Sequence, residues 1–180
     1  MPTRGDIISF CAGVFLLYWP YIWCRLKGEN PDSLGLCWDF NRKSAMQTLT
    51  VSGFILAAVT IVALNWPWEE LPRHRDIKTV LSLLGSGLAA AIIEETFFRG
   101  WLQPVLARHL KPWAAIVVTN LIFAPIHLFV APYWISLLVF FPGCIMGWLK
   151  YRYKNLFPPA LFHFVGNIWA IWFFPMPVKF

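Results

Sequence analysis

Glu94 and Glu95 stand side by side near the end of an apolar run, Leu88-Ala-Ala-Ala-Ile-Ile-Glu-Glu-Thr-Phe-Phe-Arg-Gly-Trp-Leu, and Arg99 follows the second glutamate by four residues. Two carboxylates in so apolar a stretch cost free energy and persist where they face a partner or a water-filled cavity. Positions four apart share a helix face, so Glu95 and Arg99 are expected to pair, while Glu94 points about 100° away. One carboxylate is then held by a cation and its neighbour stays free. A dry carboxylate serves as a general base only when its pKa and hydrogen bonds are tuned, and this asymmetry supplies such tuning.

Two further polar clusters lie in separate apolar runs. Phe123 and His127 are one helical turn apart, with Pro125 between them removing a backbone donor, and His163 and Asn167 repeat the spacing of four. Each cluster alone also fits a bland role. Arg99 can mark a helix end at headgroup level, and a lone histidine or asparagine can bridge packed helices. Taken together, a Glu and a His can activate a water while a second His and an Asn donate to an oxyanion, which makes a peptide-hydrolysis constellation. The His-Glu-x-x-His, Gly-x-Ser-x-Gly and Gly-x-Gly-Asp patterns are missing, which disfavours classical zinc, serine and aspartyl routes. A metal site built from Glu94, His127 and His163 stays open, since those ligand types suit zinc.

The elements that must position these groups are membrane spans. Of 180 residues, 58% are hydrophobic and 13% charged, with 11 Trp and 16 Phe, a balance far from that of a soluble domain. Apolar runs long enough for a ~30 Å hydrocarbon core occupy Ile7 to Trp23, Ala45 to Trp66, Val80 to Phe98, Trp113 to Val130 and Leu156 to Phe174. A shorter run, Ile135 to Leu149, makes a sixth. The expected fold is all-α, a polytopic membrane bundle of about six transmembrane helices. It is read as one domain over residues 1–180, with its motif core at about 88–167.

The net charge of +6 does not point to nucleic acid, because the Lys and Arg residues fall in short loops between apolar runs. Arg25, Lys27, Arg42 and Lys43 mark one loop, Arg108 and Lys111 another, and Lys150, Arg152 and Lys154 a third. The positive-inside rule makes these loops cytoplasmic and puts the N-terminus outside. Arg73, Arg75 and Lys78 argue weakly the other way, beside Glu69 and Glu70. No small-x-small cleavage pattern follows the first run, so it reads as a retained helix. Cys11, Cys24, Cys37 and Cys144 show no Cys-x-x-Cys pairing and are expected as buried thiols.

The ordered set Glu-Glu-x-x-x-Arg (Glu94, Glu95, Arg99), Phe-x-x-x-His (Phe123, His127) and His-x-x-x-Asn (His163, Asn167) closely resembles the CPBP family. That family comprises the type II CAAX prenyl proteases and bacteriocin-processing relatives, which are glutamic intramembrane proteases. The match runs from Leu88 to Asn167, and Phe98-Arg99-Gly100 extends its first motif. The resemblance implies that Glu94 and His127 hold and activate the attacking water, and that His163 and Asn167 form the oxyanion hole. Glu95 and Arg99 would support the first motif and Phe123 the second. No cofactor is implied. The implied partners are the lipid bilayer and a membrane-anchored substrate, prenylated or carrying a C-terminal sorting signal. The implied location is a multi-pass position in a bacterial inner (plasma) membrane. The alternatives are a non-catalytic binding or immunity protein on the same fold, and a metal-dependent protease with Glu/His/His ligands. A transporter is disfavoured, because its repeats and broken helix pairs are not evident.

Depth sets one further expectation. With a third helix ending at Phe98, Glu94 would lie only ~6 Å from that end, against ~21 Å from Trp113 to His127. Trp101, Leu102, Val105 and Leu106 form an apolar stripe that carries the helix on to about Arg108, which brings Glu94 level with His127. Pro104 is expected to kink that extension. His163 lies only ~10 Å past Leu156 and calls for a helix that is tilted or begins beyond the membrane surface.

Overall fold

The computed structural model describes residues 4–67, 70–130 and 132–174. Among these residues there are six helices and no strand: α1 Arg4–Lys27, α2 Arg42–Leu64, α3 Ile77–Leu106, α4 Pro112–Val130, α5 Phe140–Tyr153 and α6 Phe157–Phe173. A short 3₁₀ segment, Trp134–Val139, leads into α5. Five stretches, Ile7–Lys27, Arg42–Leu64, Ile77–Leu106, Pro112–Phe129 and Trp134–Tyr153, are long and apolar enough to cross a membrane. The sixth helix, α6, has 17 residues and reaches about 25 Å. Ile8, Phe54, Ile61 and Phe129 are exposed on the outside of the bundle, as lipid contact allows for helices whose backbone polar groups are satisfied internally.

Local chemistry starts these helices where the sequence changes character. The Asn41 side chain accepts from Ser44 N at 3.0 Å to cap α2, and Asp76 accepts from Thr79 N at 3.0 Å to cap α3. Within α3, Pro104 has no N–H to give, and its ring crowds the carbonyl of Gly100, four residues back. The helix responds by widening into a π turn over Phe98–Leu102, closed by Gln103 N–H on Phe98 O, and then resumes to Leu106. The apolar stripe therefore does extend the helix. The irregularity expected of Pro104 takes the form of that widened turn.

Helix α6 is the hub, packed on α2, α3 and α5; α4 packs on α5, and α1 lies at the edge, mainly against α3. Phe98, Phe123, Met146, Leu149 and Phe162 form the core beneath the site, joined by Val51 and Ile55 of α2. Both ends of α6 are strapped by loops. At its start, Leu156 N–H donates to Cys37 O at 2.9 Å and Asn155 Nδ2 to Asp39 O at 2.8 Å. In the same α1–α2 loop, Gly35 sits at φ 69° and its carbonyl accepts from Lys150 Nζ. At the other end, Arg73 N–H donates to Trp172 O at 3.0 Å and Arg75 Nε to Ile171 O at 3.4 Å. These straps set the depth of His163 on a helix that starts only six residues before it.

On the outer surface of the basic loops, Arg108 donates to both Glu29 oxygens, which holds the Glu29 carboxyl below its ordinary range. The thiols differ in part from expectation. Cys24 is buried and Cys37 and Cys144 are half-buried, but Cys11 is exposed, because the edge helix α1 turns that face away from the bundle.

Candidate active site

The widened turn in α3 carries Arg99 into the core, where its side chain is fully buried. Its Nη1 donates to Glu95 Oε1 at 3.0 Å, and its Nη2 donates to Asn120 Oδ1 at 2.8 Å and to Gly143 O at 3.1 Å. The guanidinium also lies 4.4 Å from the centroid of the Phe123 ring, a cation–π distance. Buried charge is tolerable only when paired and hydrogen-bonded, and Arg99 meets both conditions. Asn120 is held in turn by its own Nδ2, which donates to Ile116 O at 2.8 Å.

Glu95 Oε1 accepts a second hydrogen bond, at 2.9 Å, from His163 Nδ1. The Nδ1 of His127 lies 3.2 Å from Phe123 O, an acceptor only. Assigned from these partners, each ring places its Nδ1–H on an acceptor and turns Nε2 toward the remaining carboxylate. Glu94 Oε2 sits 3.8 Å from His163 Nε2 and 4.0 Å from His127 Nε2. It is buried and has no direct hydrogen-bond partner among the described residues. These separations exceed a hydrogen bond but suit one water in contact with each group at ~2.8 Å. Glu94 is thus the free carboxylate and Glu95 the paired one. Phe123 supports both rings, edge to face with His127 at 4.6 Å and with His163 at 6.3 Å between centroids.

Asn167, one turn beyond His163, stands apart from this cluster in one respect. Its Nδ2 donates to Gly87 O of α3 at 3.0 Å, so one of its two amide hydrogens is spent on helix packing. Its side chain still lines, with His127 and His163, a cavity of about 680 Å³ between α2, α4, α5 and α6. Among the described residues, no three His, Cys, Asp or Glu side chains are grouped to hold a metal ion.

Asn120 and Gly143 went unread in the sequence, as did Gln103, whose Nε2 donates to Gly147 O at 2.9 Å. Signals for them existed. Asn120 falls seven residues before His127, on the same stripe of an apolar helix, and Gly143-x-x-x-Gly147 is a small-x-x-x-small pattern of close helix packing.

A bundle of apolar helices around a buried cluster of carboxylates, imidazoles and a guanidinium defines the class: an integral membrane protein with a polar site inside it. The profile of the family described as type II CAAX prenyl endopeptidase Rce1-like matches residues 76–169, slightly more than half the chain and all three motifs. The chain belongs to the Rce1-like family. Membership carries the family's general activity, endoproteolysis of CAAX type at the membrane. No curated protein and no solved structure matches the chain.

Proposed function

We propose that the chain hydrolyses a peptide bond of a membrane-associated protein with Glu94 as general base, by a glutamic mechanism without a covalent intermediate. The observation that carries this is the convergence of Glu94 Oε2 with two imidazole Nε2 atoms at 3.8 and 4.0 Å, while both Nδ1 atoms are held from behind. A water bound there gives a proton to Glu94 and its oxygen attacks the scissile carbonyl carbon. The resulting oxyanion accepts from the second amide hydrogen of Asn167 and from His163. Glu95 Oε1 holds the ring from behind through Nδ1, which fixes the edge that Nε2 presents to the oxyanion. Collapse of the tetrahedral intermediate breaks the C–N bond, and the amine leaves with the proton from Glu94.

The substrate is proposed to carry a C-terminal apolar or lipidated segment, of CAAX type or a sorting signal, seated in the apolar cavity beside the histidines. The test is Glu94→Gln, which keeps the shape of the side chain and removes the base. Cleavage of the cellular substrate should vanish while folded yield and substrate association persist. Full biological function from that variant would overturn proteolysis and leave the binding or immunity reading.

A further inference from the structure

We propose that Gly166 is a substrate-positioning residue of the site: its bare backbone is the bed on which an extended stretch of substrate main chain lies, so that the scissile carbonyl reaches His163 and Asn167 together. This rests on the protease reading of the same cavity and deepens it, by naming the part of α6 that meets the substrate and the conformation in which the substrate is held.

Glycine inside a helix costs stability relative to alanine, because it exposes backbone and gives up more conformational freedom on folding. Gly166 lies in the middle of α6, Phe157–Phe173. Membrane helices keep glycines where a neighbouring helix comes close, and other glycines around the site fit that account. A Cβ on Gly87 would meet Asn167 Cβ at 3.2 Å, and one on Gly147 would meet Ile116 Cγ2 at 2.8 Å. A Cβ on Gly166 would meet nothing within 4 Å. Gly53 and Gly85 are open in the same way, but both are exposed on the outside of the bundle, whereas Gly166 is half-buried and lines the cavity of about 680 Å³. Helix packing therefore does not account for it, and the open space at its Cα is the cavity itself.

Its place on α6 gives the notch a use. At 100° and 1.5 Å per residue, Gly166 stands about 60° around the helix from His163, ~4.5 Å beyond it and ~1.5 Å short of Asn167. It lies in height between the two oxyanion donors, on the face turned to the cavity. Phe162 and Trp169, also on the cavity wall, bound the notch on the side away from Asn167. An oxyanion within about 2.7–3.1 Å of both donors brings the carbonyl carbon, and the chain on either side of it, against this face of α6. At Gly166 that chain meets only Cα hydrogens and can settle. A methyl group there would fill the notch and lift the carbonyl off its donors. A helical substrate keeps its carbonyls in its own hydrogen bonds behind a sheath of side chains, so the occupant is an extended segment.

The experiment compares Gly166→Ala, Gly166→Leu and Gly85→Ala in the full chain, purified in detergent, with a fluorescence-quenched prenylated CAAX-type peptide as probe. Gly166→Ala and Gly85→Ala should both melt at or above the temperature of the unmodified chain, since neither Cβ meets an atom within 4 Å. Gly85→Ala should cleave the probe at the unmodified rate. Gly166→Ala should lose about 10- to 200-fold in kcat/KM, the range for one methylene in a fitted pocket, and Gly166→Leu should lose all turnover. Binding of the same peptide to the Glu94→Gln chain, read by fluorescence anisotropy, should weaken at least about tenfold when Gly166→Leu is added. Full-rate cleavage by Gly166→Ala overturns the proposal, and so does early melting of that variant, which would show the position to be packed. Peptide binding to Glu94→Gln that is absent, or that Gly166→Leu leaves unchanged, overturns it as well. Binding that Gly166→Leu weakens, with no cleavage by the unmodified chain, would instead keep the notch and sink the protease reading, so the two failures are distinguishable.

Discussion

A fully buried guanidinium that satisfies Glu95, Asn120 and Gly143 at once depends on its planar fork, and an ammonium cannot reach all three acceptors. Arg99→Ala should therefore cost about 3–5 kcal/mol, the range for orphaning a buried charge, and Arg99→Lys should recover only part of it. Thermal unfolding in detergent measures both, and a loss below about 1 kcal/mol for Arg99→Ala would contradict the role given to the pair. On the proposed mechanism Asn167 divides its amide between packing and chemistry. Asn167→Ala is expected to slow turnover by about 10² to 10³, the magnitude for one oxyanion donor, while costing only ~1 kcal/mol of stability for the lost bond to Gly87. Rate and melting curve together separate the two effects. Cleavage is expected to survive a strong chelator, and loss that added zinc restores would move Glu94, His127 and His163 to ligand roles.

Close approach between helices is bought at particular glycines. A Cβ on Gly143 would meet Asn120 Oδ1 at 2.1 Å and Arg99 Nη2 at 3.1 Å, so α5 can sit against α4 and the π turn only because that atom is missing. Gly143→Ala should destabilise by several kcal/mol, with overpacking strain at ~1–3 kcal/mol added to the broken Arg99 network. Gly85 on α3 has nothing within 4 Å of its would-be Cβ, so Gly85→Ala should be neutral or stabilising by up to ~1 kcal/mol. Equal losses in the two variants would sink the argument from packing. Pro104→Ala restores the missing N–H and lets the π turn relax, which rotates Arg99 away from its acceptors. Activity should fall more than stability does, as paired cleavage and melting measurements can establish.

The straps on α6 act at the scale of the whole molecule. Leu36, buried in the α1–α2 loop, rests on the backbone of Gly100 and on Leu156, and so couples that loop to the turn that aims Arg99. Leu36→Ala should lose about 2–5 kcal/mol, as for other buried leucines, and should lower cleavage although the residue touches no reacting group. A variant that melts early yet cleaves at the full rate at low temperature would show the strap to be structural only. Topology is read by reporter fusions. Those after Lys43, Lys111 and Lys154 should report cytoplasm and one after Asp76 should not, as alternating spans and the basic loops require.

What was legible in the chain itself is what depends on neighbours along it. Runs of apolar residues admit one solvent and one backbone solution, so the all-α membrane bundle could be read from hydropathy alone. The Glu95–Arg99 pair and the freedom of Glu94 follow from a spacing of four on a helix, and the stripe past Pro104 announced the length of α3. Contacts between helices depend on the rotation and depth of each one, which periodicity leaves undetermined. The sequence could not show that His163, 68 residues away, would hand its Nδ1 to Glu95 rather than keep both nitrogens for substrate. Nor could it show that Asn120 and Gly143 would complete the shell of Arg99, or that Asn167 would spend a hydrogen on Gly87. Those choices belong to tertiary packing, because a buried polar atom takes whichever partner the neighbouring helix brings within 3 Å, and only the assembled bundle decides which one that is.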